Sequence, residues 1–218
     1  MTRLGYSRLD MTARTDPKRA GPWGADTPVD EEQARDRLLL AAEKCFAERG
    51  PSRTRMSEIA QAAGVHRSTL YYYFPSKNAV LAASLIRGLA KTMKSTESLW
   101  NTDEPFLERL VRVCLAGNEA ARASATLRTL IDSTEAGHTY RAVETSVLWQ
   151  DALIKALGQR LAEAAAAGEI RTDVGPETLA RWIARVNFSL MAEPGNPLDG
   201  GDEGILRTFL AASLMPRR

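Results

Sequence analysis

Thr54-Arg-Met-Ser-Glu-Ile-Ala-Gln-Ala-Ala-Gly-Val-His-Arg-Ser-Thr-Leu-Tyr-Tyr-Tyr-Phe-Pro-Ser-Lys77 is the stretch whose reading decides the fold. It contains two short helical segments around one glycine. Ser57 to Ala63 has helical spacing and closes at Gly64, and a second run from His66 or Arg67 to Phe74 ends at Pro75. Two short helices joined by a tight glycine-containing turn make a helix-turn-helix. Ala60 and Ala63 are small enough for close helix approach, and Gly64 can adopt the left-handed backbone such a turn needs. Met56, Ile59, Val65, Leu70 and Phe74 are expected to close a small core.

Helical phase separates the two faces of the second segment. At about 100° per residue, Leu70 and Phe74 lie within about 40° of each other and mark the buried side. Ser68 and Tyr72 fall nearly opposite, with Thr69 and Tyr73 on one flank and Arg67 and Tyr71 on the other. No carboxylate occurs from Val65 to Lys77. Hydroxyls, phenols and a guanidinium on one face suit phosphates and base edges. Arg53, Arg55 and Lys77 add cations nearby, against Glu58 as the single acid from Arg53 to Lys77. This local excess matters because the whole chain of 218 residues carries a formal net charge of only +2.

Outward from this stretch the pattern stays helical. Leu39, Ala42 and Phe46 form the stripe of a preceding helix that begins near Asp30 and stops at Gly50-Pro51. Ser76 caps a fourth helix running to about Lys94. Helical segments are predicted at Glu104–Ala121, Ala125–Thr134, Tyr140–Ala167, Pro176–Met191 and Asp202–Leu214, with residues 194–201 as a loop. No period-two alternation suggests a strand. The expected fold class is all-α: a tail at 1–29, a helix-turn-helix unit at 30–77, a connecting helix at 78–94 and a larger helical domain at 95–218. The Pro- and Gly-broken tail reads as flexible and without a core, although Arg3, Arg8, Arg14, Lys18 and Arg19 lie in it.

Several classes are disfavoured. Hydrophobic residues at 44% and charged residues at 26% are ordinary globular values. The 2 cysteines, Cys45 and Cys114, sit in apolar helical patterns and read as free thiols in a reducing cytoplasm. No metal-ligand spacing involves His66 or His138, no apolar run approaches the ~20 residues of a membrane span, and no targeting segment is visible. Nucleotide-binding and hydrolase motifs are missing, so an enzyme or a cofactor is not expected. Two readings remain: a DNA-binding regulator, and a helical protein-interaction module whose helix-turn-helix meets no DNA.

The run Ile59-Ala-Gln-Ala-Ala-Gly-Val65, followed by Ser68-Thr-Leu-Tyr-Tyr-Tyr-Phe-Pro-Ser-Lys77, resembles the tetracycline-repressor (TetR) family. Ala41-Ala-Glu-Lys-Cys-Phe-Ala-Glu-Arg-Gly50 is similar to that family's first helix, and residues 166–176 to a weaker family feature. The clear match covers about residues 34–92. His66 departs from a serine-like cap and Tyr73 from a frequent histidine. The resemblance implies DNA-facing positions at Arg55, Ser57, Arg67, Ser68, Thr69, Tyr72, Tyr73 and Lys77. It also implies a repressor, a homodimer on a palindromic operator, and a small-molecule effector in the C-terminal domain. Cys114, Trp149 and Phe188 are the candidates for lining the effector pocket, and few charges on the inner faces favour an apolar or aromatic ligand. Leu179, Ile183, Val186 and Leu190 form one stripe, and Trp182, Arg185, Val186 and Ser189 are the candidates for the dimer interface.

Overall fold

The computed structural model describes Trp23, Pro28, residues 30–132 and residues 134–216. Among these residues there are helices, turns and loops but no strand. The chain runs α1 (Glu31–Arg49), α2 (Met56–Ala63), α3 (Arg67–Tyr73) and α4 (Lys77–Thr96), then a 3₁₀ turn at Glu97–Trp100. It continues with α5 (Phe106–Ala123), α6 (Ala125–Ile131), α7 (Ala136–Glu144) and α8 (Val147–Leu153). A π turn at Ile154–Gly158 leads directly into α9 (Gln159–Ala166), followed by α10 (Pro176–Ala192) and α11 (Gly201–Leu214).

Local chemistry sets the ends of these helices. Asp30 caps α1, its Oδ1 accepting from the Gln33 N–H at 2.8 Å, with Glu31 and Glu32 at the positive end of the helix dipole. Gly50 ends α1 at φ 79°, ψ 152°, a backbone region reserved for glycine. Ser76 caps α4, its Oγ accepting from Ala79 N at 3.2 Å.

Three expected boundaries differ. The α5 segment starts at Phe106 because Pro105 occupies the N-cap, and a residue before proline is driven out of helical backbone. The segment expected to continue to Thr134 stops at Ile131: Asp132 turns extended and its Oδ1 accepts from Thr134 N at 3.0 Å and Oγ1 at 2.6 Å. The long helix predicted from Tyr140 is cut between α7 and α8, where Ser146 is extended. The first of the two then reaches back to Ala136.

The tail reading also needs amendment at one residue. Trp23 is buried, 7% exposed, and packs on the N-terminal helices. The rest of that segment, save Pro28, lies outside the described residues.

Two apolar cores organise the chain. The first joins Leu38, Phe46, Ile59, Leu70 and Phe74 to Val80, Leu81 and Leu85 of α4, and continues into α6, α7 and the end of α10. The second packs α5, α9, α10 and α11 together through Leu110, Leu161, Ile183 and Leu210. The 20-residue α4 spans roughly 30 Å and leads from the first three helices to the far end of the second core. Arg87 on α4 reaches back to α1, pairing with Glu43 at 2.7 Å and Asp36 at 3.4 Å. No helix among the described residues is long and apolar enough to cross a membrane.

Candidate nucleic-acid interface

The corner between α2 and α3 is built by backbone geometry. Gly64 adopts φ 68°, ψ 33°, the left-handed conformation that ends α2. Gly64 N then donates to Gln61 O at 3.1 Å and Val65 N to Ala60 O at 3.0 Å, satisfying carbonyls a helix end leaves open. A third carbonyl is served from α1: Arg37 donates to Ala63 O from Nε at 3.2 Å and Nη2 at 3.0 Å. The same guanidinium lies 5.6 Å from the Trp23 ring centroid. Ile59, Ala60 and Ala63 are buried in the crossing, as their size suggests; Val65 is half-buried.

Within α3 the expected two-faced pattern appears. Leu70 is 0% exposed and Phe74 is 2% exposed, whereas Tyr72 is 79% exposed and Ser68 and Arg67 lie open to solvent. Thr69 is half-buried at the margin. Arg67 lies 5.2 Å over the Tyr71 ring and donates from Nη2 to Tyr71 Oη at 3.1 Å, so two side chains of the helix brace each other. His66 caps the helix through Nδ1, which accepts from Ser68 N at 3.4 Å and lies 2.7 Å from Ser68 Oγ. The histidine thus replaces a serine-like cap without loss of the capping bond.

Two expected DNA-facing residues are held by the protein itself. Tyr73 is half-buried, edge-on to Trp23 at 5.6 Å and to Tyr72 at 5.0 Å, with Arg35 5.8 Å from its ring centroid. Its ring therefore belongs to the flank that packs on Trp23 and not to the open face. Lys77 donates from Nζ to the carbonyls of Pro51 at 3.0 Å and Ser52 at 2.8 Å, which ties the α1–α2 loop to the start of α4. Arg55 and Ser57 at the start of α2 are exposed. Glu58 is engaged: its carboxylate accepts from Arg55 N at 2.8 Å and pairs with Arg49. Arg53 turns back onto the Arg49 carbonyl at 2.8 Å. The open surface of this corner thus includes Arg55, Ser57, Arg67, Ser68, Tyr71 and Tyr72, with its one acid paired to Arg49.

Sequence reasoning missed Trp23, Arg35 and Arg37, which support α3 from behind. The available signal was a tryptophan between Pro22 and Gly24 in an otherwise polar segment, since so large an apolar side chain seldom stays in water.

Of the residues expected to line one effector pocket, Phe188 and Trp149 belong to the first core and Cys114 to the second. Cys114 is buried in the second core and Phe188 in the first, where it meets Tyr140 at 5.2 Å between ring centroids. Both are packed among apolar neighbours. Burial pushes the Cys114 thiol up to about 12. Trp149 alone borders open space, a cleft of about 340 Å³ between α7–α8 and α10, walled also by Tyr140, Leu153 and Trp182. On α10, Trp182 is 44% exposed and donates from Nε1 to Ser213 Oγ of α11 at 3.0 Å. Ser189 is exposed and Val186 is half-buried against the second core. Arg185 pairs with Glu144 and lies 5.3 Å over the Tyr140 ring, so it has a partner within the chain. No group of three or more His, Cys, Asp or Glu among the described residues is placed to hold a metal.

Residues 38–84 match the model of the bacterial regulatory proteins of the tetR family, a span covering most of α1, all of α2 and α3, and the first turns of α4. An HTH-type transcriptional regulator of Mycobacterium tuberculosis is 30% identical over 192 residues, covering 85% of each chain. The HTH-type transcriptional repressor KstR2 of Mycolicibacterium smegmatis is 27% identical over 191 residues, covering 82% of this chain and 89% of that one. Among solved structures, GusR of Salmonella enterica superposes with a TM-score of 0.54 at 26% identity, covering 86% of this chain and 99% of the other. With a left-handed glycine at the corner, an apolar side of α3 locked into the core and its hydroxyl-rich side open, the chain belongs to the TetR family of DNA-binding transcriptional regulators.

Proposed function

We propose that the protein is a cytoplasmic repressor that binds a palindromic operator as a homodimer and is released by a small-molecule effector. The observation that carries the DNA-reading part is the division of α3: Tyr72 is 79% exposed on the side opposite a fully buried Leu70, with no acid in the helix. In this reading Ser68, Thr69 and Tyr72 meet base edges, while Arg55, Ser57 and Arg67 meet phosphates. Tyr73 and Lys77 act from behind, holding the helix and the preceding loop. Residues 30–77 read DNA, α4 connects, and the helices after residue 95 pair and sense.

The dimer reading is supported by the outer face of α10 and α11. Trp182 is 44% exposed and Phe209 is 56% exposed, and Ser213, which accepts from Trp182, donates in turn to the Phe209 carbonyl at 2.7 Å. Large apolar side chains left beside each other on two helices call for cover. The effector reading is supported by the cleft at Trp149, whose aromatic walls suit an apolar or aromatic molecule. Selection of bound sequences from a random DNA pool tests the whole reading. It should return inverted half-sites with centres roughly 34–36 Å apart or a multiple of that. No enrichment, or a lone half-site, overturns it.

A further inference from the structure

The α1–α2 loop is fastened to the helix ends around it. Thr54 Oγ1 donates to Gly50 O at 2.9 Å, Arg53 Nε to Arg49 O at 2.8 Å, and Lys77 Nζ to the carbonyls of Pro51 and Ser52. Residues 50–55 are thus tied to the helix-turn-helix unit. A further pair of bonds leaves that unit for the body. Ser52 donates from its backbone N–H at 3.0 Å and its Oγ at 2.7 Å to the carboxylate of Glu135, the N-cap residue of α7.

The other end of α7 walls the cleft at Trp149. Tyr140 and Glu144 line it together with Arg185 of α10. Tyr140 packs on Phe188 at 5.2 Å, Arg185 lies 5.3 Å over its ring, and Glu144 pairs with Arg185. Gln150, also in the lining, donates from Nε2 to Glu144 O at 2.8 Å. At 1.5 Å per residue, the 9 residues of α7 put its two ends only about 13 Å apart. A helix this short moves as one body, so a displaced last turn is felt at Glu135.

The backbone on either side of α7 lets it shift. Asp132 precedes it in an extended conformation (φ −47°, ψ 139°) and Ser146 follows it in another (φ −81°, ψ 124°). Residues at element ends are where hinges absorb changes of dihedral angle. The buried face of α7, Thr139, Ala142 and Val143, packs on the side of α4. Thr139 adds no directional bond there, since its Oγ1 has no hydrogen-bond partner among the described residues. Apolar contact is non-directional and opposes separation more than sliding.

We propose that α7 couples the Trp149 cleft to the helix-turn-helix unit through the Glu135–Ser52 clasp. The clasp holds the unit in its DNA-binding orientation, and displacement of the wall formed by Tyr140 and Glu144 releases it. This rests on the reading of that cleft as the effector site, yet it is testable with no effector in hand. The sign of the effect is informative. Loss of an acid by itself favours binding to polyanionic DNA, whereas loss of the clasp disfavours it.

The test is a double-mutant cycle in the full-length protein. Glu135→Ala opens the clasp, and Glu144→Gln breaks the pair with Arg185 at the cleft wall while keeping the shape of the side chain. Operator affinity is read by fluorescence anisotropy, and the clasp itself by hydrogen exchange of the Ser52 amide without DNA. Glu135→Ala is expected to weaken operator binding about fivefold or more. Glu144→Gln should weaken it about threefold or more and speed Ser52 exchange. The double variant should bind no more weakly than Glu135→Ala alone, since both changes act through one clasp. Glu104→Gln, which breaks the pair with Arg112 away from α7, should alter neither readout. Multiplying effects of the two changes, unaltered affinity in Glu135→Ala, or unaltered Ser52 exchange in Glu144→Gln overturns the coupling. A non-additive cycle in a protein whose cleft binds neither indole nor naphthalene would uphold the coupling and count against the effector reading.

Discussion

The Glu135 carboxylate grips Ser52 across the junction between the helix-turn-helix unit and the body, accepting from its backbone N–H at 3.0 Å and from its Oγ at 2.7 Å. Lys77 holds the same loop from the other side through the carbonyls of Pro51 and Ser52. Gly50 leaves room for this clasp: a Cβ there would lie 2.6 Å from Glu135 Oε1, in a backbone conformation other residues rarely adopt. Glu135→Ala is therefore expected to cost about 1–2 kcal/mol. That corresponds to a fall of roughly 2–8 °C in the melting temperature of a chain this size. Gly50→Ala should cost at least as much, because it adds backbone strain of about 1–3 kcal/mol to the loss of the clasp. Thermal unfolding followed by circular dichroism checks both, and an unchanged melting temperature for Glu135→Ala would show the clasp to be dispensable.

Tyr72 and Leu70 are two residues apart on α3 and should fail in opposite ways. Tyr72→Ala is expected to leave stability within about 0.5 kcal/mol, since its side chain stands in solvent. Its loss should weaken operator binding by about 1–3 kcal/mol, roughly fivefold or more. Leu70→Ala empties a fully buried site and should cost about 2–5 kcal/mol of folding stability. Denaturant titration and fluorescence anisotropy with operator DNA separate the two effects. Full affinity in Tyr72→Ala would remove this face from the DNA.

Salt dependence tells phosphate-binding cations from structural ones. Arg55→Ala and Arg67→Ala should each reduce the slope of log affinity against log salt by about 0.9, because one phosphate fewer is neutralised and its counterion stays on the DNA. Lys77→Ala is expected to lower the melting temperature together with affinity, because its ammonium already serves two carbonyls. A reduced slope for Lys77→Ala at unchanged stability would return that residue to the DNA-contacting set.

Cys114 should be chemically silent in the folded protein. With its thiol pushed up to about 12 by burial, the thiolate fraction at pH 8 is on the order of 10⁻⁴, and the thiolate is the reactive form. Cys45 is also buried, its thiol raised by desolvation first and by Glu48 second. Titration with a thiol-specific disulfide reagent at pH 8 should release colour from neither until denaturant is added. Rapid reaction of the native protein would contradict the packing of α1 or α5 around these thiols.

Phe209→Asp probes the proposed pairing surface. Phe209 is 56% exposed, so the change should leave the isolated fold intact. A charge buried without a partner in an interface is costly, and sedimentation analysis should show monomer. A dimer of unchanged affinity would place the interface elsewhere.

Much of this protein is decided by local chemistry that can be read along the chain. Gly50-Pro51, Gly64 and Pro75 stop helices because of what their backbones permit or forbid. The 100° advance per residue turns Leu70 and Phe74 inward and Ser68 and Tyr72 outward wherever that helix is placed. Other features depend on segments that meet only after folding. Trp23 becomes core because Arg37 and Tyr73 come to lie beside it, and Lys77 is withdrawn because the carbonyls at 51 and 52, over twenty residues earlier, fall within its reach. Cys114 and Phe188, equally apolar on paper, are parted into different cores by the crossing of α5 and α10. The break at Ser146 and the π turn at Ile154–Gly158 leave no trace in periodicity, since packing against neighbouring helices chooses among backbone states that differ little in local energy. Helix identity and facing are short-range properties. Partner choice, and with it the position of each cation and each cleft, belongs to the tertiary structure.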